Sequence, residues 1–122
     1  MDSQRAGDAA YKAVITMWDQ YVSPRYDFAP ELLVAKIQDR RIIKTRTVIP
    51  GCASADENCR LILAEGVQVV VTGAIRRRYF EYLIWKKIRV LDTVRGPWER
   101  ALELLRLGEL GPEAVLYDER GL

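Results

Sequence analysis

The sequence has 122 residues, 49% hydrophobic and 30% charged, a composition typical of one soluble globular domain and not of a disordered or low-complexity chain. No apolar stretch reaches the ~20 residues of a membrane-spanning helix, and the polar N-terminus lacks the apolar core of a signal peptide. Two cysteines are too few for a secreted disulfide scaffold, so we expect a cytoplasmic protein with no membrane association.

The chain contains no histidine, which excludes Ser-His-Asp and Cys-His catalysis and zinc sites that depend on imidazole. Its net charge of +2 is too balanced to indicate nucleic-acid binding by itself. The positive charge is local, because residues 76–100 carry eight arginines and lysines against three carboxylates.

The first predicted strand, 11–18, is a β-rich apolar run that fits a strand buried on both faces. A loop with two prolines follows at 22–30. The next two runs, 32–38 and 41–49, are predicted to form a β-hairpin, since the second alternates between apolar and polar residues.

Beyond the hairpin the pattern becomes helical. Ser54 and Glu57 have the spacing of a capping box, and an amphipathic helix over 55–65 is predicted to end at Gly66. The remaining predicted elements are a strand at 67–72, an aromatic-rich helix at 75–87, a strand at 88–94 and a helix from Pro97 to Gly108 or Gly111.

This order of elements predicts an α/β domain over 11–110, with tails at 1–10 and 111–122. We expect a mixed five-stranded sheet with helices on both faces, in the strand order 3-2-1-4-5 of a three-layer ribonuclease H-like domain. Its switch point lies where the first and fourth strands become neighbours, and α/β sheets bind ligands at such points.

Four segments form an ordered set along the chain: the loop at 22–29, LLVAKIQ at 32–38, AEGVQVVVTGAI at 64–75 and KKIRVLDTVRGPWERALELLRLGEL at 86–110. This set resembles the dinitrogenase iron-molybdenum cofactor biosynthesis family, over nearly the whole of 11–110. The resemblance implies a ribonuclease H-like fold. It also implies a small accessory protein, not an enzyme, that binds or carries an anionic iron–sulfur or molybdenum-containing sulfide cluster for nitrogen fixation.

Two positions depart from that family's pattern. Its early loop often reads His-Phe-Gly, whereas this chain has Arg-Tyr-Asp at 25–27. Its Cys-Gly-Gly-Ile segment is Thr-Gly-Ala-Ile here, at 72–75. Both changes remove a side chain of a type that can bind metal, so the resemblance does not carry direct metal ligation to these two positions.

The candidate binding residues fall at the predicted carboxyl ends of strands. Guanidinium groups and helix N-terminal amides bind anions, and positive charge at a helix N-terminus is unfavourable by ~0.3–1 kcal/mol per group unless it has a use. A solvated charged face and a partner surface are the alternatives. The predicted ligand contacts are Ser23, Arg25, Gly73, Ala74, Arg76, Arg77, Arg78 and Arg95.

Cys52, in the loop before the first helix, is the predicted metal ligand, whereas Cys59 lies on the apolar stripe and is predicted to be structural. Nuclease chemistry needs several carboxylates that converge on Mg²⁺. Only Asp19, Asp27 and Asp92 fall near the predicted strand ends, and the first strand has none, so we expect no nuclease and no other enzyme.

The aromatic helix at 75–87 supports a second hypothesis, a cofactor-free interaction module of the same fold. Such a module dimerises through this helix or docks on a partner protein, and the first hypothesis also implies a partner in cofactor assembly. Nucleic acid is not the expected partner, because these aromatic side chains are more often core residues than base-stacking platforms.

Overall fold

The computed structural model describes residues 10–116, which form a mixed six-stranded sheet and three α-helices. In chain order the elements are β1 (Tyr11–Trp18), β2 (Tyr21–Val22), a 3₁₀ turn (Tyr26–Phe28), β3 (Glu31–Gln38), β4 (Arg41–Val48), α1 (Ala55–Glu65), β5 (Val69–Val71), α2 (Arg77–Trp85), β6 (Arg89–Leu91) and α3 (Trp98–Arg106).

Strand β1 lies in the middle of the sheet, as its apolar run predicts. It pairs antiparallel with β3 and parallel with β5, and the sheet order is β4-β3-β1-β5-β6, with β2 pairing with β1 off this path. The predicted five strands are therefore corrected to six, and the stated order 3-2-1-4-5 changes because β2 is added beside β1. The five predicted strands keep the neighbours predicted for them. A sixth strand exists because the chain turns back at once after β1, so that Tyr21 pairs with Trp18.

Helices cover both faces of the sheet, because alternate residues of β1 point to opposite sides. Ile15 packs in one core with Leu102 of α3. Val14 packs in the other with Ile62 of α1 and Leu83 of α2. These two cores confirm the predicted layers, while the ribonuclease H-like assignment stays a prediction.

Both ends of α1 lie where the sequence predicts them, whereas α2 begins later than predicted. The Ser54 hydroxyl accepts a hydrogen bond from the Glu57 amide at 3.0 Å, and Gly66 ends α1 in the left-handed conformation at φ 69°. Helix α2 is shorter than predicted because the Ala74 carbonyl accepts from the Tyr26 amide at 2.8 Å, which holds the preceding segment in a loop. None of the described helices has the length and apolar character needed to cross a bilayer.

Residues 111–116 fell in the predicted C-terminal tail, but they run beside the segment that follows β6. The Arg95 amide donates to the Ala114 carbonyl at 2.9 Å, and the Leu116 amide donates to the Arg95 carbonyl at 2.7 Å. Leu116 is buried against the α3 core. The rest of the predicted tails, 1–9 and 117–122, lies outside the described residues.

Candidate anion-binding groove

The carboxyl ends of β1 and β5 form the switch point of the sheet. These strands are parallel neighbours, and the chain leaves β1 toward one edge of the sheet and β5 toward the other. Beneath the loops that follow, the buried Thr16 hydroxyl donates to the Thr72 hydroxyl at 2.9 Å. The switch point was predicted at this position, and it holds the candidate site.

The two loops at this end of the sheet are bound to each other through their backbones. The Gly73 amide donates to the Ser23 carbonyl at 3.0 Å, and the Ala74 amide donates to the Pro24 carbonyl at 2.8 Å. Arg25 and Ala74 complete the contact as an isolated parallel bridge. The first loop therefore has a fixed position relative to the start of α2.

This contact requires glycine at position 73. A Cβ atom built on Gly73 would lie 2.3 Å from the Ser23 carbonyl oxygen and 2.4 Å from that of Pro24. Real Cβ atoms do not approach backbone oxygens so closely, and a backbone atom cannot move aside as the end of a long side chain can. Glycine is needed here because the backbones of the two loops approach each other closely, and not because the chain makes a left-handed turn.

Between these loops and α2 lies a cavity of about 450 Å³, which we call the strand-end groove. Arg25 and Arg76 line it from the two loops, and Tyr79 lines it from the first turn of α2. The remaining lining residues are Tyr26, Asp27, Ala74 and Ile75.

The groove carries two guanidinium groups and one carboxylate. Arg25 donates two hydrogen bonds to Asp27, at 2.9 and 2.8 Å, and these bonds hold the pKa of the Asp27 carboxyl below its ordinary value. No described carboxylate lies within ion-pair distance of Arg76. The groove is therefore positively charged, and one of its two cations is already paired.

Tyr26, which lines the groove, is buried and pairs with Cys59, which does not line it. The Tyr26 hydroxyl lies 3.2 Å from the Cys59 sulfur, and burial raises the pKa of both groups. The side-chain amide of Asn58 donates to the Tyr26 carbonyl at 2.7 Å, which anchors the 3₁₀ turn on α1. The structural role predicted for Cys59 agrees with this packing.

Three of the predicted ligand contacts have a different role. The amides of Gly73 and Ala74 are occupied by the other loop, and the Ser23 hydroxyl is buried and donates to the Arg25 carbonyl at 2.9 Å. These groups build the groove and have no free donor to offer a ligand. The amides of Arg77 and Arg78, the first of α2, have no described backbone acceptor.

The five arginines among the predicted ligand contacts do not line one cavity. Arg25 and Arg76 share the strand-end groove, but Arg95 lines a neighbouring cavity of about 360 Å³, whose lining overlaps that of the groove only at Ala74. Arg77 forms an ion pair with Glu81 one helical turn later, with 3.9 Å between the Arg77 Nε and Glu81 Oε2 atoms. The Arg78 guanidinium stacks 4.8 Å from the ring centre of its neighbour, Tyr79.

The predicted metal ligand, Cys52, is exposed in the loop before α1 and does not line the groove. Within residues 10–116 no three His, Cys, Asp or Glu side chains are placed to hold a metal ion together, the aspartates weighed for nuclease chemistry included. The described residues thus supply charge and hydrogen-bond donors to the groove, and not a set of metal ligands.

Sequence reasoning missed two members of the groove. Asp27 was considered only as a nuclease carboxylate, although its spacing from Arg25 in a turn already allows the ion pair. Tyr79, one of the aromatic residues of the predicted helix, packs against the core as expected, but it is only half-buried and also lines the groove. No sequence signal distinguishes such a ring from a core residue.

No protein-family model matches the chain, and no curated protein matches its sequence. Solved structures do share its fold. The crystal structure of PH0822 is 20% identical, with a TM-score of 0.76 over 91% of this chain and 99% of that one. A candidate dinitrogenase from Methanocaldococcus jannaschii is 21% identical, with a TM-score of 0.69 over 84% and 94%. The apo form of the orange protein from Desulfovibrio gigas is 16% identical, with a TM-score of 0.67 over 84% and 92%. At such identities the likeness establishes a fold shared with these proteins.

Proposed function

We propose that this protein is a small accessory protein that binds an anionic metal–sulfur cluster as cargo in the strand-end groove. The observation that carries the proposal is the backbone contact between the two loops, which sets Arg25 and Arg76 on one cavity at the switch point. The shared fold supports it, since one of the structural neighbours is named as a candidate dinitrogenase.

The physical basis is attraction between the groove and an anion. Guanidinium groups are weakly hydrated and present several donors in a plane, so they suit a large anion with dispersed charge. Arg76 stands at the N-terminus of α2, where the helix dipole adds partial positive charge and the first amides point outward. An anion there also offsets the unfavourable placement of three consecutive arginines at this helix end.

The composition of the groove fits a cargo held without covalent ligation. Its lining includes no cysteine, and the Cys59 thiol beside it is buried and hydrogen-bonded to Tyr26. A cluster that keeps its own sulfide ligands needs no thiolate from the protein. Release to a partner then requires only the exchange of ion pairs. Binding and transfer, not catalysis, are the functions that this lining supports.

The proposal is tested by titrating the protein anaerobically with tetrathiomolybdate, a small anionic molybdenum sulfide, and following the visible charge-transfer spectrum. We expect saturable binding that Arg76→Glu weakens about tenfold or more, because the variant puts a carboxylate where the anion binds. Arg77→Glu is the matched control, since it changes the same charge one residue away on a side chain outside the groove.

Two results would contradict the proposal. If the Arg76 and Arg77 variants lose affinity equally, the anion responds to net charge and not to the groove. If molybdate or sulfate binds as tightly as tetrathiomolybdate, the groove is a general anion site and the metal–sulfur assignment fails.

A second function, the cofactor-free interaction module, is favoured by the surface of α2. Trp85 is 70% exposed and Ile84 is 45% exposed, and Lys86 stacks 4.8 Å from the Trp85 ring centre. Such a surface suits dimerisation or a protein partner. Sedimentation of the wild type and of Trp85→Glu tests it: a concentration-dependent dimer lost in the variant supports the module, and a monomer in both opposes dimerisation through α2.

A further inference from the structure

Strand β4 forms one edge of the sheet, and no described strand pairs with its outer side. Seven of its eight residues are exposed, and β3 is its one partner within residues 10–116. The backbone donors and acceptors on its outer side are therefore open to another chain. Proteins commonly shorten, bend or cover such edges, and this one is long and open on both faces.

The face of β4 that lies on the α1 side is cationic. Lys44 lies opposite Lys36 of β3, and Lys36 lies opposite Lys12 of β1, so three lysines form a row across three strands. Arg46 adds a fourth cation to this face, and Glu65 is ion-paired with both Lys12 and Arg46. Like charges directly opposite each other are unfavourable in a sheet. Additional carboxylates next to this row of lysines would therefore be stabilising.

The opposite face of β4 is uncharged between positions 45 and 47. Thr45 lies opposite Ala35, and Thr47 lies opposite Leu33, both on the α3 side of β3. A register shift between Lys36 and Ile37 then brings Ile42, 37% exposed, to the same side. An incoming strand would therefore meet cations on one face and β-branched side chains on the other.

A second copy of this chain does not fit the edge. Antiparallel pairing of two copies that keeps the same faces on the same side joins residues 41–47 or 42–48 of each copy. These registers set Lys44 opposite Lys44 or Arg46 of the copy, and those contacts repel. The same cations attract an acidic strand. The charge pattern thus disfavours self-association and selects the sign of a partner.

We propose that β4 is a docking edge for an extended acidic segment of a partner protein, which adds to the sheet as a further strand. Its acidic side chains lie opposite Lys44 and Arg46, and its β-branched side chains lie on the face of Thr45 and Thr47. The backbone hydrogen bonds supply affinity, and the alternating side chains supply specificity. None of these residues lines the strand-end groove, so the proposal does not depend on the cargo assigned to it.

The test is a titration of the ¹⁵N-labelled full chain with an eight-residue peptide that alternates glutamate and valine. We expect the largest NMR shifts along β4 and slower hydrogen exchange of its amides. Lys44→Glu/Arg46→Glu should weaken binding about tenfold or more and create binding of the lysine–valine peptide, because two attractive pairs become repulsive. The matched control, Arg77→Glu/Arg100→Glu, makes the same charge change on exposed residues elsewhere and should leave the affinity unchanged.

Three outcomes would overturn the proposal. An N-methylated glutamate–valine peptide that binds equally well shows that no strand is added. An oligothymidylate that shifts β4 more strongly than the peptide shows a general polyanion surface. The absence of peptide binding in the folded wild type shows that the cations only protect the edge from aggregation.

Discussion

Gly73→Ala should destabilise the protein and disrupt the strand-end groove together. The new methyl group would lie 2.3 Å from the Ser23 carbonyl oxygen and 2.4 Å from that of Pro24, so the two loops must separate. Overpacking costs ~1–3 kcal/mol, and the hydrogen bonds that join the loops contribute ~0.5–1.5 kcal/mol each. A loss of about 3 kcal/mol follows, which corresponds to a fall in Tm of roughly 10 °C for a chain of this size.

The assay is urea or thermal unfolding, followed by titration of the still-folded variant with tetrathiomolybdate. Gly111→Ala is the matched control, because a Cβ atom there meets no atom within 4 Å and its backbone φ lies outside the left-handed region. We expect a change of less than about 0.5 kcal/mol for the control. A Gly73→Ala protein as stable as the wild type, with unchanged anion affinity, would refute the role of the loop contact.

Three further predictions follow from the same geometry. Asp27→Asn should raise the affinity for tetrathiomolybdate about two- to fivefold, because it frees the arginine that the carboxylate now pairs; a lower affinity would contradict this. Thr72→Val should lower the free energy of unfolding in urea by about 1–3 kcal/mol, because it leaves the buried Thr16 hydroxyl without its acceptor. The double variant Thr16→Val/Thr72→Val should lose less than the sum of the two single variants. Additive costs would contradict the pairing. In the folded protein iodoacetamide at pH 8 should alkylate the exposed Cys52 and spare Cys59, whose thiol pKa is raised by burial, and equal labelling by mass spectrometry would contradict the structure.

Much of the fold could be predicted because its signals are local. The capping residue Ser54 and the terminating Gly66 bound α1, and the apolar run of β1 predicts a central strand. The two-residue strand β2 could not be predicted, because its pairing depends on how tightly the chain turns after Trp18. The C-terminal segment was missed for a related reason: its backbone bonds to Arg95 are long-range and have no pattern in the sequence.

The position of the strand-end groove could be predicted from the sequence, but the residues that line it could not all be predicted. Parallel strands bring their carboxyl ends together, so the sequence alone predicts that Arg25 and Arg76 lie near each other. The acceptors of the Gly73 and Ala74 amides could not be predicted, because hydrogen bonds between two loops depend on the distance between them. Gly73 was predicted to contact a ligand, and instead its missing side chain lets the other loop approach the backbone closely.

The proposal that the strand-end groove carries a metal–sulfur cluster can be tested on the protein as its host makes it. The most direct test is metal and acid-labile sulfide analysis, with a visible spectrum, of the wild type and of Arg25→Glu/Arg76→Glu, both purified anaerobically from the native host. We expect stoichiometric molybdenum or iron with sulfide in the wild type and loss of both in a variant that remains folded. A folded wild type without metal, or a variant that keeps its full load of metal and sulfide, would contradict it.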